Sequence, residues 1–469
     1  MLRFALPLLA VLASSSTSFS ADRPPNIVLI VADDLGSAEL GCYGQKLIRT
    51  PNIDRLAAQG MKFTHFYAGN AVCAPSRCAL MTGRHMGHAT VRDNKETKPE
   101  GQYPLAKTDV TVAELLKAKG YATGAMGKWG LGMWDTTGSP LKHGFDLFYG
   151  YNCQYHAHSH YPTYIYRNDK RITLEGNDGK TGKQYTQDLF ESEALQFLDA
   201  NKERPFFLYL TFIVPHVALQ VPEDSLEEYR GKLGEETAYQ GKQGYLPHAT
   251  PHAAYAAMVT RMDRSVGRIL EKLEKLGLDR DTLVIFTSDN GPTHDAGGAD
   301  SGFFQSAGKL RGLKGSLYEG GIRVPFIARW MGHIQAGTVC NDRFYFPDVL
   351  PTLCQVAGIP IPAGLDGISF YPTLMMKNDQ KQHEFLYWEF PSYGGQQAVI
   401  SGQWKAVRQS LRSGAVKTQL FDMSRDESET TDVAAKHPEE LARLEKLMKE
   451  QHTPSPAFPL PAIDVPVKK

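Results

Sequence analysis

Asn26-Ile27-Val28-Leu29-Ile30-Val31-Ala32-Asp33-Asp34-Leu35-Gly36 is the stretch on which the fold turns. Ile27 to Ala32 are apolar without a break, so Asn26 to Ala32 suits a strand covered on both faces, as the strands of parallel sheets are. Pro205 to Val214, stopped at Pro215, reads the same way, and so does Thr282 to Ser288. Val324 to Arg329 is a further short strand. Helical segments lie between them. Thr50-Pro51-Asn52-Ile53-Asp54-Arg55-Leu56 reads as a capped helix start, Val112 to Lys119 stops at Gly120, and Pro251 to Leu276 has helical periodicity and ends at Gly277. Strands alternating with helices give an α/β class. The Pro/Gly-rich stretch Gly358 to Gly367 marks a boundary. Beyond it come strand-like runs at Glu384 to Phe390, Ala398 to Arg408 and Thr418 to Phe421, then a charged amphipathic helix at Pro438 to Glu450. The expected organisation is a main domain over 21–365 and a smaller C-terminal subdomain over 366–469. The subdomain combines a short antiparallel sheet, a helix and a Pro-rich tail, Pro454 to Lys469, that hugs the surface or lacks order. No internal repeat is visible.

The 469 residues suffice for a large core plus a second, smaller unit. Lys+Arg and Asp+Glu are both 51, so net charge gives no reason to expect nucleic acid or an acidic membrane as partner. Met1 to about Ser20 reads as a signal peptide, with Arg3 as the positive start, Phe4 to Ala13 as the apolar run and Ser18-Phe19-Ser20 as a small-residue cleavage site. The run is too short to span a membrane, and no later segment has 18 consecutive apolar residues. The first cysteine is Cys42, far from that site, which argues against a bacterial lipid anchor. The expected location is secreted or periplasmic. Six cysteines are present without a Cys-x-x-Cys or a zinc-module spacing. Export permits disulfides, and the sequence assigns no pairing.

Two of the strands run into acidic residues, at the edge where an open α/β sheet places its chemistry. The first leads into Asp33-Asp34-Leu35-Gly36 and the third into Asp289-Asn290-Gly291. Adjacent carboxylates repel unless a cation neutralises them. Asp33, Asp34 and Asp289 offer carboxylate oxygens and Asn290 an amide oxygen, a set that fits a hard cation, calcium before magnesium. Taken singly, Asp33-Asp34 reads as a helix cap and Asp289-Asn290-Gly291 as a turn; the two ends together favour the metal.

Cys73-Ala74-Pro75-Ser76-Arg77-Cys78-Ala79-Leu80-Met81-Thr82-Gly83-Arg84 is a longer signal. It resembles the segment in which type I sulfatases, of the alkaline-phosphatase-like superfamily, have a cysteine oxidised to Cα-formylglycine. Met126-Gly127-Lys128-Trp129-Gly130-Leu131-Gly132 and Lys314-Gly315-Ser316-Leu317-Tyr318-Glu319-Gly320-Gly321-Ile322-Arg323-Val324-Pro325 resemble partner motifs in the same order. The resemblance, from about Asn26 to the C-terminal helix, implies a large mixed sheet flanked by helices with a smaller C-terminal α+β subdomain. It implies hydrolysis of a sulfate ester to an alcohol and inorganic sulfate. Cys73 would be the modified nucleophile and a ligand of the metal held by Asp33, Asp34, Asp289 and Asn290. Arg77, Lys128 and Lys314 would surround the sulfate, and His216, in Pro215-His216, would protonate the leaving oxygen. A formylglycine-generating maturation enzyme is the implied partner. Converting Cys73 leaves five cysteines, so at least one stays unpaired.

One position departs from the family pattern. The common form Gly-Lys-Trp-His-Leu-Gly carries Gly130 in place of its histidine, and glycine transfers no proton. Tyr149 to Tyr161 is rich in substitutes, and His158, ahead of His156 and His160, or Gln154 by hydrogen bonding, is the expected replacement; a sugar-stacking or structural loop is the competing reading. Arg92, Asp93 and Asn94 are candidate substrate contacts, against an ordinary solvated loop. Export and the Tyr/His-rich loop suit a sulfated sugar, and the Gly130 variant resembles a subgroup associated with galacto-configured 4-O-sulfated sugars. Two rival readings stand beside this one. A phosphate or phosphonate ester hydrolase of the superfamily typically shows Asp-His where Asp289-Asn290 stands. A non-catalytic sulfoglycan-binding protein would keep the pocket without the chemistry.

Overall fold

A computed structural model of the chain describes residues 23–464 apart from Pro99 and Gln243. The expected signal peptide, Met1 to about Ser20, lies outside the described residues. A large sheet contains β1 (Asn26–Asp33), β2 (Met61–Tyr67), β3 (Ala122–Lys128), β4 (Leu147–Tyr151), β5 (Tyr164–Arg167), β6 (Lys170–Thr173), β7 (Phe206–Pro215), β8 (Thr282–Ser288), β9 (Arg323–Arg329) and β10 (Thr338–Tyr345). Their spatial order is β10-β2-β9-β8-β1-β7-β3-β4-β5-β6. A second sheet runs β11 (Leu386–Phe390), β12 (Gln396–Ser401), β13 (Trp404–Gln409) and β14 (Lys417–Asp422), antiparallel throughout. This is the α/β architecture with a smaller antiparallel unit that the sequence predicts.

The centre of the large sheet is built as the apolar runs require. All eight residues of β1 are buried. Ile27, Leu29 and Val31 enter one core with the helices Cys73–Thr82, Val112–Ala118 and Val349–Val356. Val28, Ile30 and Ala32 enter the opposite core with Thr186–Asn201 and Pro251–Lys275. Successive side chains of a strand point to opposite faces, so a strand with helices on both sides has to be apolar at every position. β8, β1, β7, β3 and β4 are mutually parallel neighbours. Their C-terminal ends therefore share one edge, which brings Asp33, Lys128, Pro215 and Ser288 together with the residues that follow them.

Two local expectations change, and one of the two readings of the tail is borne out over its described part. Ala398 to Arg408 is two strands, broken by a hairpin at Gly402, whose φ of 58° is left-handed. Thr50 does not cap the Pro51–Ala58 helix; Asp263 on the long Pro251–Lys275 helix accepts the free N–H groups of Asn52 and Ile53 at 3.0 and 2.8 Å, leaving Thr50 to bond Gly41 N–H and Asp54. The described part of the Pro-rich tail is packed rather than loose: Phe458 and Leu460 are buried, and His452 bridges Glu389 and Asp464.

The small sheet is clamped to the segment that carries Lys314. Trp388 donates its indole N–H to Ala68 O at 2.8 Å. Gln396 accepts from Leu317 N–H and donates to Gly315 O at 2.8 Å. Lys405, fully buried, pairs with Glu319 at 2.9 Å and Glu429 at 2.8 Å, and Arg323 also pairs with Glu319. Burial opposes ionisation of Glu319, but Lys405 and Arg323 outweigh it and lower its pKa. Breaking a buried pair by removing one partner costs about 3–5 kcal/mol, because the other charge stays buried. Lys405→Met is accordingly expected to lower unfolding stability by about that amount in urea titrations of the intact chain; a loss under about 1 kcal/mol would show that the clamp is not structural.

Candidate active site

Cys73 is the first residue of the Cys73–Thr82 helix, all of which is buried. The residue before it, Val72, has no side chain with which to cap the helix. Instead Asn94 Oδ1 accepts Ala74 N–H at 2.8 Å, and Ser76 Oγ accepts Gly69 N–H at 3.0 Å. Gly83, at φ 68°, ends the helix. The Cys73 thiol donates to Asp33 Oδ1 at 3.3 Å. Burial, then the Asp33 carboxylate, push this thiol far up, so it stays protonated. An unmodified cysteine held this way is a poor nucleophile.

Asp33, Asp34, Cys73 and His216 each direct one ligand-type atom into a common space, with these atoms within 4.8 Å of one another. Asp289 and Asn290 join them from the end of β8. Asp289 accepts from Arg77 Nε at 3.0 Å and Arg77 Nη2 at 2.7 Å, and Asn290 donates to Asp34 Oδ1 at 2.8 Å. Asp34 turns back at φ 66°, with its own N–H on Asp289 Oδ1 at 3.2 Å. Lys128 sits 2.6 Å from Asp33 and Lys314 2.8 Å from Asp34. Arg77 is steered by acceptors at the Lys128 carbonyl, 2.8 Å away, and at Thr211 Oγ1. The charges of Asp33, Asp34 and Asp289 are thus matched by Arg77, Lys128 and Lys314. Burial raises the pKa of Asp33, but Lys128, His216 and Arg77 more than reverse this and hold it far below the usual carboxylate range. Burial and Asp33 push Asp289 up.

The donors Asp33, Asp34, Asp289 and Asn290 fit a hard dication: they present oxygen atoms, and Asn290 Oδ1 is buried without a hydrogen-bond partner, as an amide oxygen reserved for a cation would be. With a dication in place the balanced cluster would carry an excess of positive charge, which favours an anionic substrate.

The structure separates the expected histidines. His216 lies on Pro215 at the end of β7; its Nδ1–H donates to Val217 O, which turns Nε2 toward Asp34 at 3.6 Å. Burial, then Lys314, keep its imidazole neutral. His158 stacks on it with ring centroids 4.8 Å apart and lines the same cavity. Burial, then Lys128 and Lys314, push its pKa down to about 3, so it is a weak base here. His156 packs between Tyr151 and Tyr164, and His160 donates Nε2–H to His216 O at 2.9 Å. Neither His156 nor His160 lines the cavity with Cys73. Gln154 does, beside Gly130.

The cavity has a volume of about 410 Å³ and also takes in Asp93, Asn94, Tyr245, His294, Ser392 and Tyr393. Arg92 corrects its expected role as a substrate contact. Its guanidinium turns inward, donating to Ala89 O, Gly87 O, Thr453 O and the buried carboxylate of Glu389. Asn94 lines the cavity but uses Oδ1 to hold the helix that begins at Cys73. Thr211, Tyr245, His294 and Tyr393 went unread in the sequence. Only Thr211 carried a signal, as a hydroxyl in an otherwise apolar strand run.

The family model described as Sulfatase matches residues 25–359, and the one described as N-sulphoglucosamine sulphohydrolase, C-terminal, matches residues 313–454. N-acetylgalactosamine-6-sulfatase of Mus musculus is 34% identical over 420 residues, covering 85% of this chain and 75% of that protein. Arylsulfatase A of Homo sapiens is 32% identical over 453 residues, covering 91% and 81%. The crystal structure of Ps i-CgsB in complex with k-i-k-neocarrahexaose superposes with a TM-score of 0.78 at 30% identity, covering 93% of this chain and 95% of that one. The chain belongs to the sulfatase family and is a sulfuric ester hydrolase.

Proposed function

We propose that the chain is an exported sulfatase that removes sulfate from a carbohydrate, using Cys73 converted to Cα-formylglycine and a calcium ion held by Asp33, Asp34, Asp289 and Asn290. The observation that carries this reading is the meeting of Cys73, Lys128, His216 and Lys314 in one cavity beside these oxygen donors. A formylglycine at 73, hydrated by water to its geminal diol, would supply a hydroxyl nucleophile where the protonated thiol supplies none. A calcium ion held by Asp33, Asp34, Asp289 and Asn290 would supply positive charge that favours binding of the anionic ester. Lys128, fixed on Asp33, and Lys314, fixed on Asp34, line the same cavity and orient the sulfate group there. Arg77, locked onto Asp289, keeps that carboxylate in place for the metal. His216 offers Nε2 to the leaving oxygen. Its imidazole is neutral in the bare site, and an anionic ester beside it favours the protonated form that can serve as acid.

A sugar suits the cavity better than an apolar alcohol such as a sterol. Asp93, Ser392, His294 and Gln154 provide polar contacts, while Tyr245 and Tyr393 offer ring faces. The likeness to Ps i-CgsB in complex with k-i-k-neocarrahexaose and to an N-acetylgalactosamine-6-sulfatase supports a galacto-configured sugar. The Gly130 variant of the lysine motif supports the 4-O position. Asn290 favours sulfate over phosphate chemistry, since an amide oxygen suits calcium and imidazole suits zinc or manganese. Export to the periplasm or beyond rests on the apolar N-terminal run, and maturation requires a formylglycine-generating enzyme.

Co-expressed with a maturation system, the purified chain is expected to show formylglycine in the mass of the tryptic peptide containing position 73, and Cys73→Ala is expected to lose more than about 10³-fold in kcat with an unchanged melting temperature. Only unmodified cysteine in an active preparation would overturn the nucleophile. Lys314→Ala is expected to raise KM and lower kcat together, because sulfate is charged in ground and transition states alike; unchanged constants would remove Lys314 from the site. Chelation is expected to lower both activity and melting temperature, with calcium restoring them. Free calcium at about 100 times its Kd adds roughly 2.7 kcal/mol of stability by mass action. Asp289→Asn should blunt that dependence. Stoichiometric zinc in active enzyme, without calcium or magnesium, would overturn the calcium site.

A further inference from the structure

Gln154 is 3% exposed, and both Nε2 and Oε1 are buried without a hydrogen-bond partner. Burying a primary amide unpaired is unfavourable, so its position needs a cause. The backbone holds it there. The pairing of β3 with β4 continues past both strand ends, with Trp129 N–H on Tyr151 O at 2.9 Å and Gly130 N–H on Asn152 O at 3.1 Å. Gln154 N–H then donates to the buried Gln102 at 3.2 Å. This register sets the Gln154 side chain directly against residue 130.

Gly130 makes that possible. Its φ of 74° is left-handed, and a Cβ built on it would lie 1.9 Å from Gln154 Nε2. Residues 130 and 154 therefore compete for one volume, and here the amide of Gln154 takes it. That volume opens on the cavity that holds Cys73, Lys128, His158, His216 and Lys314.

We propose that Gln154, admitted by the absent side chain at Gly130, is a neutral binding residue that donates Nε2–H to the sulfate group between Lys128 and Lys314. This rests on the active-site reading above. An amide adds direction without charge: it can donate to a sulfate oxygen and accept from a neighbouring hydroxyl, and it takes up no proton at any working pH. A bound oxyanion and its hydroxyl-bearing alcohol would thereby supply partners for both unmet hydrogen-bonding capacities of Gln154.

The test is inorganic sulfate binding to the intact chain by calorimetry, alongside melting temperature, for the natural protein, Gln154→Met and Gln154→Glu. Methionine keeps the volume and removes the polar atoms. It is expected to weaken sulfate binding roughly tenfold while leaving the sulfate-free melting temperature unchanged or higher. Gln154→Glu should bind more weakly still at neutral pH and recover part of that loss as its carboxyl protonates, a change added to whatever pH dependence His216 and His158, which line the same cavity, give the natural protein. Unchanged affinity in Gln154→Met would overturn the proposal, and so would a parallel fall in affinity and melting temperature, which marks a packing role. Failure of the natural protein to bind sulfate at all would instead overturn the pocket assignment beneath it.

Discussion

Three carboxylates, those of Asp33, Asp34 and Asp289, stand fully buried at the ends of two adjacent parallel strands. Taken alone this cluster would be strongly destabilising, since each buried charge loses its hydration and repels the other two. Much of the surrounding architecture can be understood as the answer to that cost. Arg77 comes from the first turns of the Cys73 helix, Lys128 from the end of β3 and Lys314 from the loop before β9, and each contributes a cation to a different carboxylate. The parallel order β8-β1-β7-β3 is what lets side chains so distant in sequence reach one point. The same arrangement suits a charged ligand: a cluster already neutral in the bare protein would turn net positive with a dication bound, and an anion would then be drawn to the edge of the sheet where Cys73 sits.

Lys314 shows how far this dependence extends. Its backbone N–H is held by Pro292 O and the next residue's by Ala71 O, while Gln396 of the small sheet grips Gly315 and Leu317. The buried Lys405–Glu319–Glu429 set fastens that sheet to the same loop from behind. The C-terminal unit therefore acts as a brace for the cavity-lining cation of Lys314. Its ion pairs earn their place through position more than through net stability, because a buried pair seldom outperforms a hydrophobic replacement in stability alone.

How much of this the sequence discloses depends on whether the deciding contacts are local. β1, β7 and β8 are legible because a strand with helices on both faces must be apolar throughout. β3 is not, because Gly124 and Gly127 break its pattern for tertiary reasons: a Cβ on Gly124 would meet Phe197 at 2.7 Å, and one on Gly127 would meet Thr211 O at 1.8 Å. The Thr186–Asn201 helix hides its periodicity because Glu191 and Glu193 lie inward, paired with Arg268 and Arg167. In the site, Cys73, Lys128, His216, Lys314 and the acidic strand ends are carried by motifs and can be named in advance. Arg92 cannot, since its inward turn depends on Glu389, 297 positions away. Nor can the difference among His156, His158 and His160, which depends on which of them stacks on His216 rather than on any property of the three residues themselves.

The cavity joins two kinds of construction. Its floor is made of residues fixed at parallel strand ends and a helix start, where the backbone is hydrogen-bonded on every side and a side chain has little room to move. Its rim is made of loops: Tyr245 from the long connection after β7, His294 after β8, and Ser392 and Tyr393 from the turn between β11 and β12. Loops tolerate substitution where strand ends do not. The rim residues can therefore change with the alcohol being recognised while the floor continues to handle sulfate. Ser392, which donates to Asp93 next to the Asn94 that holds the Cys73 helix, ties the two parts together, while Tyr393 packs its ring against Phe390 of its own hairpin. Because they belong to the small sheet, the unit that braces Lys314 also shapes the entrance, and a change in recognition there has to preserve the placement of the cation it supports.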